Sequence, residues 1–314
     1  MKFAKLLITG AMLFVGASIA AAQSFPSTEI TVVVPYQPGG SVDLSARLIA
    51  ESMQKQFKVP VIVENRSEAG GMTAIGNVYR GKPDGYTLLA TNLPAHIQPE
   101  VVYKSPFKLL DLTYIGGFVR VDMLLVVKKD AAYQTLKDVV EASKKKSMNA
   151  SITSMGSLGH LTLLSLKKQA GLQVEGIPFR GNVPATTALA GGNVDISVLD
   201  EIIVGLHSDK IRAIASFSET RLPKYPQAPT AKELGYDISG YSLIGYTAPP
   251  GTPESVRRVL ADAVAKAVND AEVSAKAEKL GVTVHYIPGA EFLAAARRFH
   301  SVVSESKDLF VEKK

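Results

Sequence analysis

The chain has 314 residues, a formal charge of +6 and no cysteine. The absence of cysteine rules out disulfides, thiolate metal sites and a cysteine nucleophile. The length suits two domains of ordinary size, and the modest positive charge is weak support for acidic small-molecule partners.

Residues 1–22 carry the three parts of an export signal. Lys2 and Lys5 supply the positive start, residues 6–19 are apolar and uncharged, and Ala20-Ala21-Ala22 offers small residues for cleavage before Gln23. Removing Lys2 and Lys5 lowers the charge to +4. An uncleaved membrane anchor is the alternative, but the apolar stretch is short for a span. No cysteine stands near the site to carry a lipid.

The mature chain then alternates strands and helices. Residues 30–34 form an apolar, β-branched run, broken by Pro35, Pro38, Gly39 and Gly40. Ser41 stands where it can cap a helix whose apolar positions include Leu44, Leu48 and Ile49. Residues 59–66 read as a second strand, 74–80 as a helix, 82–85 as a turn and 86–90 as a strand. Further on, 124–127 reads as a short strand, 136–145 as a helix and 151–153 as a strand end before a polar glycine loop. The run Lys144-Lys145-Lys146 lacks aromatic interleaving and suits a solvated helix end, not nucleic acid. Residues 158–170 are helical, 176–179 open a strand, 183–189 are helical, and 196–199 and 211–217 are buried strands. Residues 223–230 are rich in proline, and 241–247 are apolar and aromatic. Helices over 254–268 and 273–280, a strand over 282–286 and a last helix from 288–291 complete the order.

Repeated strand–helix pairs imply α/β units with largely parallel sheets. Ligands in such folds sit beyond the carboxyl ends of the strands, where several polar loops stand here. Two crossings, near 116–123 and 239–247, suit a clamshell whose first domain is discontinuous. The expected division is an export signal over 1–22, a first domain over 23–120 and 241–314, and a second over 121–240.

Several motifs recur in a specific order. They are VVVPYQPGGSVDLSAR, VIVENRSEAGG, the Pro83–Leu88 element PDGYTL, SMGSLGHL, IPFRG, ALAGGNVD and APPGTPE. Together they resemble the periplasmic solute receptors of tripartite tricarboxylate transporters, also called the Bordetella uptake gene family, across the whole mature chain. Ser67-Glu68 replaces a common Pro-Gly, and Leu158 stands where a small or polar residue is usual. The resemblance implies a two-domain, type II-like periplasmic binding protein with mostly parallel sheets. It implies a receptor without catalysis, cofactor or metal. Such a receptor closes on a small carboxylate and delivers it to inner-membrane transporter subunits, as a monomer in the periplasm. A minority of relatives act in sensing.

The candidate ligand-binding residues follow from loop chemistry and this likeness together. Gly39 and Gly40 let the backbone approach an anion at a helix N-terminus, and Ser41 offers a hydroxyl; a tight turn without ligand explains them equally from sequence. Asp43 suits the first helical turn without any ligand and would repel a carboxylate, so in a cleft it would meet an ammonium, a hydroxyl or water. Gly70 stands in an adjoining wall, and Thr91 and Asn92 end a strand. Arg66 is read as a structural partner of Glu64 or Glu68. In the second domain Ser154, Gly156 and Ser157 form the best-matching loop, with His160 as an orienting residue. Phe179, Arg180 and Gly181 follow. Phe179 lacks the phenol common in relatives, and Arg180 offers a multidonor cation or a surface charge. Asp200 binds a ligand donor or ties a strand end.

A secreted hydrolase is the enzymatic rival, and an interaction or sensing protein is the third reading. The chain has no nucleophile elbow, no HExxH and no GxGxxG.

Overall fold

The structure, a computed structural model, describes residues 25–103 and 105–305. The expected export signal and its cleavage point lie outside the described residues.

The chain opens with β1 (Ile30–Val34), α1 (Ser41–Phe57), β2 (Val61–Asn65), α2 (Met72–Tyr79), β3 (Thr87–Leu93) and α3 (Ile97–Tyr103). A 16-residue strand, β4 (Thr113–Lys128), follows. Next come α4 (Leu136–Lys145), β5 (Met148–Ile152), α5 (Leu158–Ala170), β6 (Val174–Pro178), α6 (Asn182–Ala190), β7 (Ile196–Asp200), α7 (Glu201–Leu206) and β8 (Ile211–Ser216). The chain returns through β9 (Tyr241–Ala248), α8 (Glu254–Val268), α9 (Ala271–Lys279), β10 (Val284–Pro288) and α10 (Gly289–Glu305).

Two sheets share one strand. The first runs β2-β1-β3-β9-β4, with β10 also on β4. In the second, β5 lies between β6 and β7, and both β7 and β8 pair with β4. β4 pairs with β9 from Thr113 to Asp122, then with β7 from Met123 onward. It therefore passes between the sheets at Asp122–Met123. Tyr241 opens β9 opposite Asp122, and Gly240 accepts the Met123 N–H at 2.8 Å. Among the described strands, parallel pairs join β1 to β2 and β3, and β5 to β6 and β7. The crossing strands add the antiparallel pairs.

Alternation along the strands explains the uninterrupted apolar runs. Val32 packs with α1 and α8 residues such as Ile49 and Val264, whereas Val33 packs on the opposite face with Ile75 and Phe292. In β4, Leu125 and Val127 join Leu166 and Phe217, while Leu124 and Val126 join Leu189 and Ile203. Strands covered on both faces need apolar side chains at successive positions. Capping fixes helix starts locally: Thr135 and Asp138 form a reciprocal capping box at α4.

Three expectations change. β4 is far longer than residues 124–127, because Gly116, Gly117 and the charged Arg120 and Asp122 interrupt its pattern without ending its pairing. The helices α3 and α7 escaped the sequence reading. Ser41 is the first residue of α1, with Gly40 at the cap position and no side-chain cap bond. The Ser41 hydroxyl bonds elsewhere. Arg66 does pair with Glu64.

Candidate functional site

A cavity of about 70 Å³ lies between the two sheets. That is small against the ~300–1,000 Å³ of drug-sized ligand sites, and it suits a small metabolite. The crossing strands make its floor: Val121 and Met123 from β4, and Ser242 and Ile244 from β9. These alternate positions share one face because side chains repeat every two residues.

Three helices begin on the walls. α1 starts at Ser41 from the first sheet's side, and α5 and α6 start at Leu158 and Asn182 from the second's. Their cap residues Gly40, Ser157 and Gly181 all line the cavity. Neither Gly40 nor Gly181 caps with a side chain, so the first N–H groups of α1 and α6 lack that partner. Ser157 caps α5 by accepting the His160 N–H at 3.3 Å. Each N-terminus carries roughly half a positive charge.

Asp200 ends β7 on the same cavity and is buried. Its Oδ1 accepts the Ser41 hydroxyl at 2.6 Å and the Ile203 N–H at 3.1 Å. Its Oδ2 accepts Asn182 Nδ2 at 2.7 Å, and Asn182 Nδ2 also lies 3.2 Å from Ser41 Oγ. This cluster joins the two sides of the cleft. Burial raises the Asp200 carboxyl above its ordinary value, opposed by these donors. Neighbouring Glu201 is pushed up to about 7 by burial and then by the Asp122 carboxylate. Asp122 pairs with Arg120 at 3.2 Å, and that guanidinium sits 3.9 Å from the Tyr241 ring centroid. Among the described residues, no lysine, arginine or histidine lines the cavity.

Of the residues expected from sequence, Gly40, Ser41, Asn92, Ser154, Ser157, Gly181 and Asp200 line this cavity. The others lie off its lining. Gly39 is exposed, with φ +84°, and donates its N–H to Asp43 at 2.9 Å. The Asp43 carboxylate also accepts Arg47 Nε at 3.0 Å and Asn65 Nδ2 at 2.9 Å. It braces the turn from within, which corrects its expected cleft position. Thr91 faces Thr247 across the β3–β9 pair, their hydroxyls 2.6 Å apart. Gly70 belongs to the short 3₁₀ turn Glu68–Gly71. Phe179 is half-buried against the core cluster containing Leu189 and Ile203, and Arg180 is exposed.

Gly156, with φ +74°, donates its N–H to His160 Nδ1 at 2.9 Å. That bond leaves the proton of neutral His160 on Nε2, and burial lowers the imidazole's basicity. A Cβ on Gly156 would come within 2.0 Å of the Gln98 side chain, so the two sides approach closely here.

Sequence reasoning missed Tyr36, Gln37, Asn182 and the four floor residues. Tyr36 lies inside the PYQPGG motif, and Asn182 directly precedes the expected helix over 183–189, so both were findable. The floor depends on strand register alone. Behind the Asn92 wall, His96 is buried and stacks on Tyr36 at 5.5 Å. Its Nδ1 accepts the Asn92 N–H at 3.2 Å, and burial drives its pKa down to about 3. The Asn92 side-chain oxygen, His96 Nε2 and Gln98 Nε2 are buried without hydrogen-bond partners among the described residues.

Among the described residues no group of three or more histidine, cysteine or acidic side chains is placed to hold a metal. No described helix is long and apolar enough to cross a membrane.

Comparison with known proteins decides the family. Residues 45–294 match the tripartite tricarboxylate transporter family receptor. The chain belongs to that family. It is 31% identical to the UPF0065 protein in the gbd 5' region of Cupriavidus necator over 277 residues, covering 87% of this chain and 84% of that protein. The periplasmic binding protein BugD superposes with a TM-score of 0.84 at 28% identity, covering 92% of this chain and 100% of BugD. MatC from Rhodopseudomonas palustris, solved with bound malate, superposes with a TM-score of 0.82 at 28% identity over 91% of this chain and 100% of MatC. These neighbours are solute-binding receptors, and the fold is their two-domain α/β clamshell. The resemblance read from the motifs is thereby borne out.

Proposed function

We propose that this chain is a periplasmic solute receptor that holds a small carboxylate between two domains and delivers it to a tripartite tricarboxylate-type transporter in the inner membrane. One observation carries the reading: the starts of α1, α5 and α6 meet on one cavity that, among the described residues, has no cationic side chain. Free N–H groups and aligned peptide dipoles at helix starts favour an anion, more so where water is excluded. The malate bound by MatC supports a carboxylate as the ligand.

The backbone N–H groups following Gly40 and Gly181 receive the carboxylate, and hydroxyls of Ser154 and Ser157 assist from the second domain. Residues 23–120 and 241–314 form one domain and 121–240 the other. The hinge lies where β4 and β9 cross, and residues 1–22 direct export. The receptor binds without chemistry.

Mass spectrometry of the ligand released from gently purified mature protein, then calorimetry against small carboxylates, tests this. A stoichiometric complex with an unaltered carboxylate is expected. Turnover of the ligand would make the chain an enzyme. Failure of every carboxylate, beside tight binding of a neutral compound, would sink the proposal.

A further inference from the structure

A second cavity, of about 400 Å³, lies beside the first. Neighbouring residues on three elements face the two chambers. After β3, Ala95 lines the small chamber and Pro94 the large one. At the start of β9, Ser242 lines the small chamber and Tyr241 the large one. On α5, Leu158 lines both, and Leu161 and Ser165 continue along the large chamber. Positions 158, 161 and 165 share one helix face, so Leu158 stands at the junction. Among the described residues it is the only one that lines both chambers.

This partition is held in place. Leu158 is half-buried and packs against the core cluster that contains Leu166 and Phe217. Its carbonyl accepts the Thr162 hydroxyl at 2.8 Å, and Ser157 caps the helix directly before it. The chambers on either side differ in capacity. At roughly 10–15 Å³ for each water-sized group, the inner chamber takes about five to seven non-hydrogen atoms. The outer chamber falls within the ~300–1,000 Å³ of small-molecule sites. Leu161, Phe299, Val302 and Val303 give it apolar walls. Glu219 and Arg298, both exposed, add one charge of each sign. A chain entering it is therefore held through its methylene groups.

We infer that Leu158 sets the upper length of the ligand: its side chain closes the inner chamber, and truncating it joins the two chambers so that a longer aliphatic chain reaches the outer one. The inference rests on the receptor reading above, in which the inner chamber holds the ligand. Leu158→Ala removes the side chain beyond Cβ and leaves the backbone N–H of residue 158 and the Ser157 cap, so the start of α5 is unchanged. Leu161, one turn further on, lines the outer chamber alone. Leu161→Ala therefore enlarges that chamber without opening the partition.

The test titrates the mature receptor by calorimetry with two straight-chain series, monocarboxylates from acetate to octanoate and dicarboxylates from malonate to suberate. In the parent, affinity should peak at a short member and fall by about tenfold or more within two further methylenes, because the closed chamber cannot take them. In Leu158→Ala, checked for folding by circular dichroism, the short acids should bind about as before and the fall should disappear. Each further methylene should instead tighten binding by about fourfold as it enters the apolar chamber. Leu158→Met, which keeps the volume, should keep the parent's cut-off, and so should Leu161→Ala. Octanoate or suberate binding the parent as tightly as its best shorter homologue would overturn the inference without any variant. A cut-off unmoved in Leu158→Ala, or moved equally in Leu161→Ala, would overturn it too. If every acid of both series fails in parent and variant, length is not what Leu158 limits and the inference falls. The receptor reading is then judged separately, by the ligand released from the purified protein.

Discussion

Replacing Ser41 by alanine isolates the bond that ties the two sides of the cleft. The Ser41 hydroxyl is buried and donates to Asp200 Oδ1 at 2.6 Å, a charge-assisted geometry. In an opened cleft water would serve both groups, so the bond counts only toward the closed form. A hydrogen bond to a charged group contributes about 1.5–3 kcal/mol net. At about 1.4 kcal/mol per decade, Ser41→Ala should raise the Kd for the receptor's own ligand by about ten- to a hundredfold. The backbone N–H of residue 41 remains, so the anion cradle is intact. Most of the loss should therefore appear in the dissociation rate, measured by stopped-flow mixing beside calorimetry. The melting temperature of the ligand-free protein should move little, since the helix start has no side-chain cap to lose. A Kd within twofold of the parent would refute the idea that this contact holds the cleft closed.

Two further outcomes concern stability. Asp43 is buried and holds Gly39, Arg47 and Asn65 together, so Asp43→Ala should cost about 1.5–3 kcal/mol in urea unfolding by removing the charged acceptor that joins them. An unchanged midpoint with abolished binding would instead make Asp43 a ligand contact. His96 has its pKa lowered to about 3, below the ordinary value of 6.5. The unfolded chain therefore binds the extra proton first, so this stability is complete above pH 6.5 and is lost as pH falls toward 3, by about 1.4 kcal/mol per unit. Unfolding curves at pH 7.5 and 5.5 should converge in His96→Gln relative to the parent; parallel behaviour of the two proteins would contradict a neutral buried imidazole.

Local chemistry was legible in this chain to different depths. α4 and α8 match the sequence reading residue for residue, because each presents a clear apolar period and a plain start signal. The turn after β1 was legible too, since proline and glycine end a strand whatever surrounds them. Asp43 was misjudged because a carboxylate in a first helical turn looks the same whether it faces a cleft or its own loop. Its partner Asn65 is 22 residues away, on another strand. Short α3 and α7 carried too few turns for periodicity to register.

The sequence by itself determined the α/β class, the order of most elements and the family, because strand runs, turn residues and ordered motifs are local signals. The tertiary structure decided which of those loops share a cavity. Ser41 and Asp200 stand 159 positions apart, yet their side chains meet at 2.6 Å. Val121, Met123, Ser242 and Ile244 became a floor only through the register of β4 on β9. That register, and the passage of β4 from one sheet to the other, are long-range pairings. They arise from the packing of whole sheets, and no local pattern of residues encodes which distant strand will lie alongside.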